Sequence, residues 1–509
     1  MGNKSRSINS IKNIVFGIGG QILSTFLNFI SRTVFINSLG VSYLGVNGLF
    51  TNILSILSLA ELGISNAIVF SMYKPIAQND TKRIKGLMNL YKKAYTIIGT
   101  TVGILGISLI PFLDYIIKDK ANIPNLVIIY ILFLANTVIS YFFAYKRSII
   151  IADQKEYIVT LYYYIFNFIQ VFLQILILII TKSFILYLLL QIIFNFITNL
   201  VISIKANKMY PYLKDLSDSD LDKATKTLIF NNIKSLFLYK IGGVVLTGTD
   251  NIIISKFIGV SSVGFVSNYN LLIGTIQTLT SKVFSGITAS VGNFNTQENS
   301  EKKEFIFDTI NFFSFWLFSF CSICFWILCD PFIEIWLGKE YILDNSILFI
   351  LTLNFYIYGM QNGNWIFRDT MGLFENSKYI PFIAAVLNLL VSIIFAKEFG
   401  LVGVFWGTAI SRLLTGIWFD PYILYKHVFG KYGLLKYYIK YIFYFCLMVV
   451  VGIITMFISS ISFIENEFIG FIYKLFICLA IPNFIYYILF KNKNEYKFLL
   501  DKVKIIIKR

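Results

Sequence analysis

The sequence predicts an all-α polytopic membrane protein with about 14 transmembrane helices, arranged as two pseudo-symmetric six-helix lobes followed by two further helices. Three observations indicate this class: recurring apolar stretches, a one-sided distribution of basic residues, and a short motif that returns later in the chain. Of the 509 residues, 57% are hydrophobic and only 14% are charged. A helix needs about 20 apolar residues to cross a bilayer, and stretches of that length recur throughout.

The apolar stretches define the order of the elements. Spans 1–6 belong to an N-lobe (1–205), and spans 7–12 belong to a C-lobe (229–426), with a cytoplasmic linker (206–228) between them. Spans 13 and 14 occupy 427–490. Because each lobe has an even number of spans, both lobes share one orientation, as in parallel repeats. The predicted spans are 11–36, 43–73, 93–117, 125–145, 158–181, 184–204, 229–254, 262–291, 306–329, 343–366, 379–396, 401–424, 437–460 and 467–490.

Basic residues are distributed unequally between the two sides of the predicted bundle. Most of the 44 Lys and Arg lie on the side that contains both termini. The opposite side holds Lys118, Lys120, Lys182, Lys256, Lys339 and Lys397. The positive-inside rule therefore predicts that both termini are cytoplasmic. The net charge of +17 is accordingly a topology signal, and no nucleic-acid partner is expected.

A repeated motif supports the duplication. Residues 39–45 (LGVSYLG) return as 258–264 (IGVSSVG), at an offset of 219 positions, and each copy lies between two hydrophobic stretches. Polar positions in the flanking helices keep this offset: Gln21 with Lys240, Asn28 with Thr247, Arg32 with Asn251, Thr51 with Asn270, Ser58 with Gln277, and Glu61 with Thr280. The pattern predicts two copies of one scaffold that carry different charges.

Ionisable side chains inside the spans mark the candidate substrate site, because a charge at the bilayer centre costs at least ~2.5–3.5 kcal/mol. The corresponding spans 1, 2, 7 and 8 carry Arg32, Lys234, Lys240 and Lys282 against Glu61 and Asp250, and span 12 adds Arg412. A surplus of cations suits an anionic cargo, especially a phosphate. The alternative is structural: Arg32 pairs with Glu61, and Lys240 pairs with Asp250.

Amide side chains accompany these charges. Asn28 and Asn47 are candidate contacts for sugar hydroxyls, with hydrogen bonding between helices as the alternative. Glu61 and Asp250 are candidates for binding a coupling proton or Na⁺. No phosphate-cradling loop, HExxH motif or paired Cys/His set is present, so neither a metal site nor another cofactor is expected.

The C-terminal segment (491–509) alternates Lys with apolar residues. This pattern predicts an amphipathic cytoplasmic helix held at anionic membrane lipids, and a solvated basic tail is the alternative.

Residues 32–50 (RTVFINSLGVSYLGVNGLF) and 61–64 (ELGI) resemble the amino-terminal region of bacterial polysaccharide transporters. These are Wzx-type flippases of the multidrug/oligosaccharidyl-lipid/polysaccharide superfamily. Residues 250–254 (DNIII), with Gly259 and Gly264, resemble the same family in the second half.

The resemblance implies a non-enzymatic flippase that works by alternating access between two lobes. Its implied cargo is an oligosaccharide on undecaprenyl diphosphate, moved outward across the bacterial cytoplasmic membrane for capsule, O-antigen or exopolysaccharide assembly. In the related lipid II flippases, cations of spans 1, 2 and 8 line the cavity; Arg32 and Lys282 occupy comparable spans here, whereas span 2 carries Glu61. A monomer is expected, with a polymerase and glycosyltransferases as further partners. The alternatives are a cation-coupled multidrug exporter and a membrane polymerase or glycosyltransferase.

Overall fold

The computed structural model describes residues 3–61, 64–118, 123–215, 221–295, 300–430, 433–461 and 466–507. Within these ranges the chain is helical and contains no strand. The helices form two compact units, Met1–Gly264 and Phe265–Arg509, which we name the N-unit and the C-unit. Every predicted span coincides with a helix, a broken helix or one limb of a folded-back helix, so the predicted all-α class is confirmed.

The N-unit contains ten helices in the described ranges and the first turn of an eleventh. They are α1 (Asn3–Leu39), α2 (Val41–Leu57), α3 (Ile64–Ala77), α4 (Thr81–Ser108), α5 (Leu113–Ile116), α6 (Leu126–Ala144), α7 (Arg147–Ala152), α8 (Glu156–Thr181), α9 (Phe184–Met209), α10 (Lys223–Phe257) and the beginning of α11 (Val260–Asn295).

The C-unit contains the rest of α11 and nine further helices in the described ranges. They are α12 (Ser300–Leu337), α13 (Asn345–Met360), α14 (Asn362–Thr370), α15 (Phe374–Ser377), α16 (Ile380–Leu414), α17 (Gly416–Leu424), α18 (Leu434–Ser460), α19 (Glu467–Phe490) and α20 (Asn494–Ile507).

Eight helices of the described ranges are long and apolar enough to cross a membrane, and the count is nine if the pair α4 and Ile110–Ile116, bent by 40°, forms one span. One of the eight runs from α16 to Phe429 and contains both predicted spans 11 and 12. The helices that fall outside this set include α10 and α11, which carry the polar positions of the repeat. Their polarity indicates that they do not face lipid all round.

In the N-unit, α1 packs along α8, and α10 packs on α2. Tyr164 of α8 donates a hydrogen bond to Gln21 of α1 over 3.3 Å. Helix α10 approaches α2 closely at Gly248, where a Cβ atom would lie 3.1 Å from the side chain of Ile56. Packing thus assigns α10 to the N-unit, although it follows the linker (206–228) at which the sequence divides the two lobes.

In the C-unit, α12 packs against both α18 and α19 through aromatic side chains. Phe315 stacks on Tyr444 with ring centroids 4.2 Å apart, and Tyr486 lies against Phe315 at 5.1 Å. The two helices beyond the repeated lobes are therefore built into the C-unit core, where they cover an aromatic face of α12.

Helix α16 folds back on itself at Gly400, whose φ of 60° is accessible to glycine without strain. After the reversal, the two limbs lie in contact: a Cβ on Gly407 would lie 2.0 Å from the hydroxyl of Ser392. The limbs are joined by an Asn388 side-chain bond to Thr408 over 2.9 Å. This hairpin explains how one continuous element contains two predicted spans.

Candidate functional site

Arg32 lies on the C-terminal third of α1 and is half-buried. Its guanidinium interacts electrostatically with Tyr187 near the start of α9, and Tyr187 also contacts Ser31. Phe35, one turn further along α1, packs edge-to-face on Tyr187 with centroids 5.4 Å apart. Tyr187, packed against Phe35, therefore lies near the Arg32 cation.

Glu61 ends the 3₁₀ turn that interrupts span 2 between α2 and α3. Its carboxylate accepts a short hydrogen bond from Tyr95 of α4, and Tyr91 donates to the Tyr95 hydroxyl over 3.1 Å. Tyr141 of α6 packs against Tyr95 at 5.7 Å. Three phenols thus surround this acid, so hydrogen bonding to neutral donors stabilises it inside the N-unit.

Asp250 is half-buried in the second half of α10. Lys240 lies on the same helix, and its side chain falls outside the described part of the structure. The predicted alternative, a Lys240–Asp250 bridge, therefore stays a prediction.

The two predicted amides have different surroundings. Asn28 is exposed on α1, between the exposed side chains of Phe26 and Ile30. Asn47 is half-buried on α2, and its backbone carbonyl accepts a hydrogen bond from the Thr51 hydroxyl over 2.7 Å. Asn28 is therefore open to a ligand on the surface of the N-unit, whereas Asn47 is partly enclosed.

The C-unit holds two of the predicted cations, Lys282 and Arg412. Lys282 is half-buried on α11. Arg412 of α16 donates from Nη1 to the carbonyl of Asn354 over 3.2 Å, and its guanidinium lies 5.7 Å from the ring centre of Tyr358. Backbone and aromatic contacts with α13 thus hold Arg412 in place.

A buried ion pair in the C-unit was missed by sequence reasoning. Arg368 of α14 is 2% exposed and donates from Nη1 to Asp420 of α17 over 3.3 Å, and Asp420 is 4% exposed. Arg368 also bonds to Asp369 over 3.3 Å. Predicted span 10 ended at residue 366, which left Arg368 in a loop, whereas α14 continues to Thr370. The sequence does contain a signal for this pair. Asp420 is an acid near the end of predicted span 12 (401–424), where a buried carboxylate needs a basic partner.

The break in span 10 has a packing role. Helices α13 and α14 meet at Gln361, and Asn364 just beyond it donates to the Tyr437 hydroxyl over 3.1 Å.

Among the described residues, no three or more His, Cys, Asp or Glu side chains cluster in a way that could hold a metal ion. The chemistry that the described polar groups support is recognition of anions and hydroxyl groups.

No known family model matches the sequence, and no curated protein is similar to it in sequence. Solved structures do resemble it in fold. The lipid II flippase MurJ in an inward closed conformation superimposes with a TM-score of 0.67 at 18% identity, covering 94% of this chain and 99% of that chain.

Two multidrug transporters are also similar. An inward-facing multidrug resistance MATE transporter of the MOP superfamily matches with a TM-score of 0.61 at 16% identity, covering 79% of this chain and 94% of its own. The MATE transporter VcmN from Vibrio cholerae matches with a TM-score of 0.55 at 14% identity, covering 83% and 98%. The chain is thus a multi-pass membrane protein whose fold is similar to that of these three transport proteins. The structures it resembles here are transporters and a flippase rather than enzymes.

Proposed function

We propose that the protein is a flippase that moves undecaprenyl-diphosphate-linked oligosaccharides from the inner to the outer leaflet of the cytoplasmic membrane. The observation that carries this proposal is the fold likeness to a lipid II flippase over 94% of the chain. The cargo would be used to assemble a cell-surface polysaccharide, with a separate polymerase acting on it outside.

The polar side chains of both units fit such a cargo. Arg32 in the N-unit and Lys282 and Arg412 in the C-unit supply cations, and Arg offers a phosphate two parallel donors. Asn28 and Asn47 supply amides for sugar hydroxyls. Moving a diphosphate outward is downhill by ~2.3 kcal/mol per charge per 100 mV, because the cell interior is negative.

A test begins with deletion of the gene and extraction of the lipid-linked glycans. The proposal expects an undecaprenyl-linked intermediate to accumulate on the inner leaflet. Complementation by Arg32→Glu or Lys282→Glu is expected to leave the protein inserted but to abolish export, because a carboxylate repels the diphosphate. Lys82→Glu, an exposed charge reversal on α4, is the matched control and should export normally. Full export by both Arg32→Glu and Lys282→Glu would overturn the assigned roles.

The likeness to MATE transporters favours one second candidate, a cation-coupled multidrug exporter. That function would use Glu61 or Asp250 to bind a coupling proton or Na⁺. Drug susceptibility of the deletion strain separates the two candidates: an exporter predicts hypersensitivity without a glycan intermediate. Transport into vesicles that persists after all ion gradients are collapsed would exclude coupling.

A further inference from the structure

The N-unit contains a cavity of about 490 Å³ where three chain connections meet. These are the turn between α3 and α4, the turn between α7 and α8, and the segment that follows α9. The lining includes three tyrosines and three uncharged polar side chains, namely Tyr73, Tyr210, Tyr212, Asn79, Thr81 and Gln154. Its volume lies within the range of about 300–1,000 Å³ that is typical of small-molecule sites.

The charges in this cavity cancel. Lys155 binds Asp153 at 2.6 Å, and the Tyr210 hydroxyl donates to the same carboxylate over 2.6 Å. Lys155 also lies 5.8 Å from the ring centre of Tyr210. Among the described lining residues, Asp153 and Lys155 are the only two charged groups, and they neutralise each other. This suits a ligand that carries no net charge where it contacts the cavity.

Two lining residues adopt a left-handed backbone conformation. Asn79 has a φ of 54° and Gln154 a φ of 60°, and each follows the end of a helix, α3 or α7. Both ends are closed in the same way, since Asp80 N–H bonds to the Pro75 carbonyl and Lys155 N–H bonds to the Ile150 carbonyl. Glycine is the usual residue at such a position. An amide side chain at each position instead supplies the cavity with a donor and an acceptor.

We infer that this cavity binds the saccharide portion of the cargo, an inference that rests on the proposed function. A sugar ring presents hydroxyl groups that donate and accept at its edge and C–H groups on its faces. Amides, a hydroxyl and a neutralised carboxylate meet the first requirement, and tyrosine ring faces meet the second. An anion would need a cation that is not already bound to a carboxylate, and an apolar drug would leave these polar groups without partners.

The position of the cavity fits this role. All three connections belong to the side that the basic residues predict to be cytoplasmic. Lipid-linked glycans are loaded on that side. The cavity would therefore hold the sugars at the stage when cargo enters from the inner leaflet.

The first experiment measures export by variants in the deletion strain. Tyr212→Ala removes one ring face, and export at low cargo supply is expected to fall about 3- to 10-fold, as the loss of one aromatic contact gives. Tyr212→Trp keeps a ring face and should restore most of the export. Tyr379→Ala removes a 63% exposed tyrosine of the C-unit and should have no effect. Membrane abundance is measured for every variant, and Asp153→Asn serves as a second probe if Tyr212→Ala does not insert.

The second experiment measures occupancy directly. Thr81→Cys is labelled with a membrane-impermeant maleimide in inside-out vesicles, prepared from cells that make the lipid-linked glycan and from cells that lack its first sugar transferase. Labelling is expected to be at least about threefold slower in the vesicles that contain glycan, because the sugar covers the thiol. Lys82→Cys, the adjacent exposed residue outside the cavity, should label at one rate in both, and the native chain measures the background.

The outcomes separate the two proposals. If gene deletion leaves no lipid-linked intermediate, the proposed function fails, and the cavity assignment fails with it. If the intermediate accumulates but Tyr212→Ala and Asp153→Asn export normally and Thr81→Cys labels equally, only the cavity assignment is overturned.

Discussion

The hydroxyl oxygens of Ser42 and Ser261 lie 2.9 Å apart, and the two residues are separated by the offset of the sequence repeat, 219 positions. The neighbouring contacts are reciprocal. A Cβ on Gly45 would lie 1.9 Å from the carbonyl oxygen of Val260, and a Cβ on Gly264 would lie 2.2 Å from the carbonyl oxygen of Val41. Contacts in which i meets j and j meets i are those of a local two-fold axis. The two copies of the motif therefore pack on each other inside the N-unit.

Close packing of backbone on backbone predicts the effect of a single methyl group. Gly45→Ala and Gly264→Ala are each expected to destabilise the protein by about 1–3 kcal/mol, because the facing carbonyl cannot rotate away as a side chain would. The measurement is thermal unfolding in detergent. Gly274→Ala on α11, where a Cβ meets nothing within 4 Å, is the control and should keep the native Tm. Equal Tm values for all three variants would contradict the reciprocal packing.

The contact between Ser42 and Ser261 predicts the effect of a reversible cross-link between these two positions. Ser42→Cys with Ser261→Cys should form a disulfide under mild oxidation, since the two hydroxyls already lie in contact. If transport requires the two copies of the motif to separate, the oxidised double variant should lose export and regain it with a reductant. Each single variant controls for the substitution. Undiminished export by the oxidised double variant would show that this contact persists through the cycle.

The sequence was sufficient to predict the helices and their repeat because both follow from hydropathy and spacing along the chain. It was insufficient for side-chain partners. Glu61 accepts a hydrogen bond from Tyr95, 34 positions away, a contact that the sequence analysis does not predict. Periodicity shows which residues share one face of a helix, but not which neighbouring helix meets that face. The Arg368–Asp420 pair was missed for a related reason, because a hydropathy boundary placed Arg368 outside its helix.

The phenol cluster around Glu61 predicts a non-additive pair of mutations. Tyr95→Phe removes the hydroxyl that donates a hydrogen bond to the half-buried carboxylate of Glu61. The free energy of unfolding is expected to fall by about 1–3 kcal/mol. Glu61→Gln alone should also destabilise. The double variant should lose less than the sum of the two single variants, by about 0.5–3 kcal/mol. Additive losses in denaturant unfolding would show that the two side chains are independent.

The buried pair of Arg368 and Asp420 predicts that removing one partner destabilises the protein more than removing both. Arg368→Met removes one partner and leaves Asp420 buried, which is expected to cost about 3–5 kcal/mol. Replacing both, by Arg368→Met with Asp420→Leu, should restore much of that loss, because the buried carboxylate is gone and Asp369, the second partner of Arg368, is exposed. Unfolding midpoints of the three proteins decide the point. A double variant less stable than Arg368→Met would indicate that Asp420 has another partner of equal importance.

The C-terminal helix predicts a pH-dependent release. Glu495 of α20 binds Lys440 of α18 at 2.9 Å, Lys440 also binds Asp308 at 3.2 Å, and Phe498 packs on Phe305 with centroids 5.6 Å apart. Partial burial alone would raise the pKa of Glu495, but the hydrogen bond from Lys440 lowers it overall. Because the docked helix has the lower pKa, this contribution to docking is complete at neutral pH. It is lost as the pH falls through the docked-state pKa, below the ordinary glutamate range.

Limited proteolysis of the tail measures this release. Proteolytic cleavage within α20 should accelerate only as the pH is lowered below about 4, through the docked-state pKa of Glu495, when a protease active over that range is used. Lys440→Met removes the partner of both acids, so its tail should be cleaved faster already at pH 7 and should respond less to acid. Lys497→Met, an exposed lysine on the same helix, should behave as the native chain does. If Lys440→Met and Lys497→Met are cleaved at the same rate, the aromatic contact of Phe498 suffices to hold α20, and the ion pairs add nothing measurable.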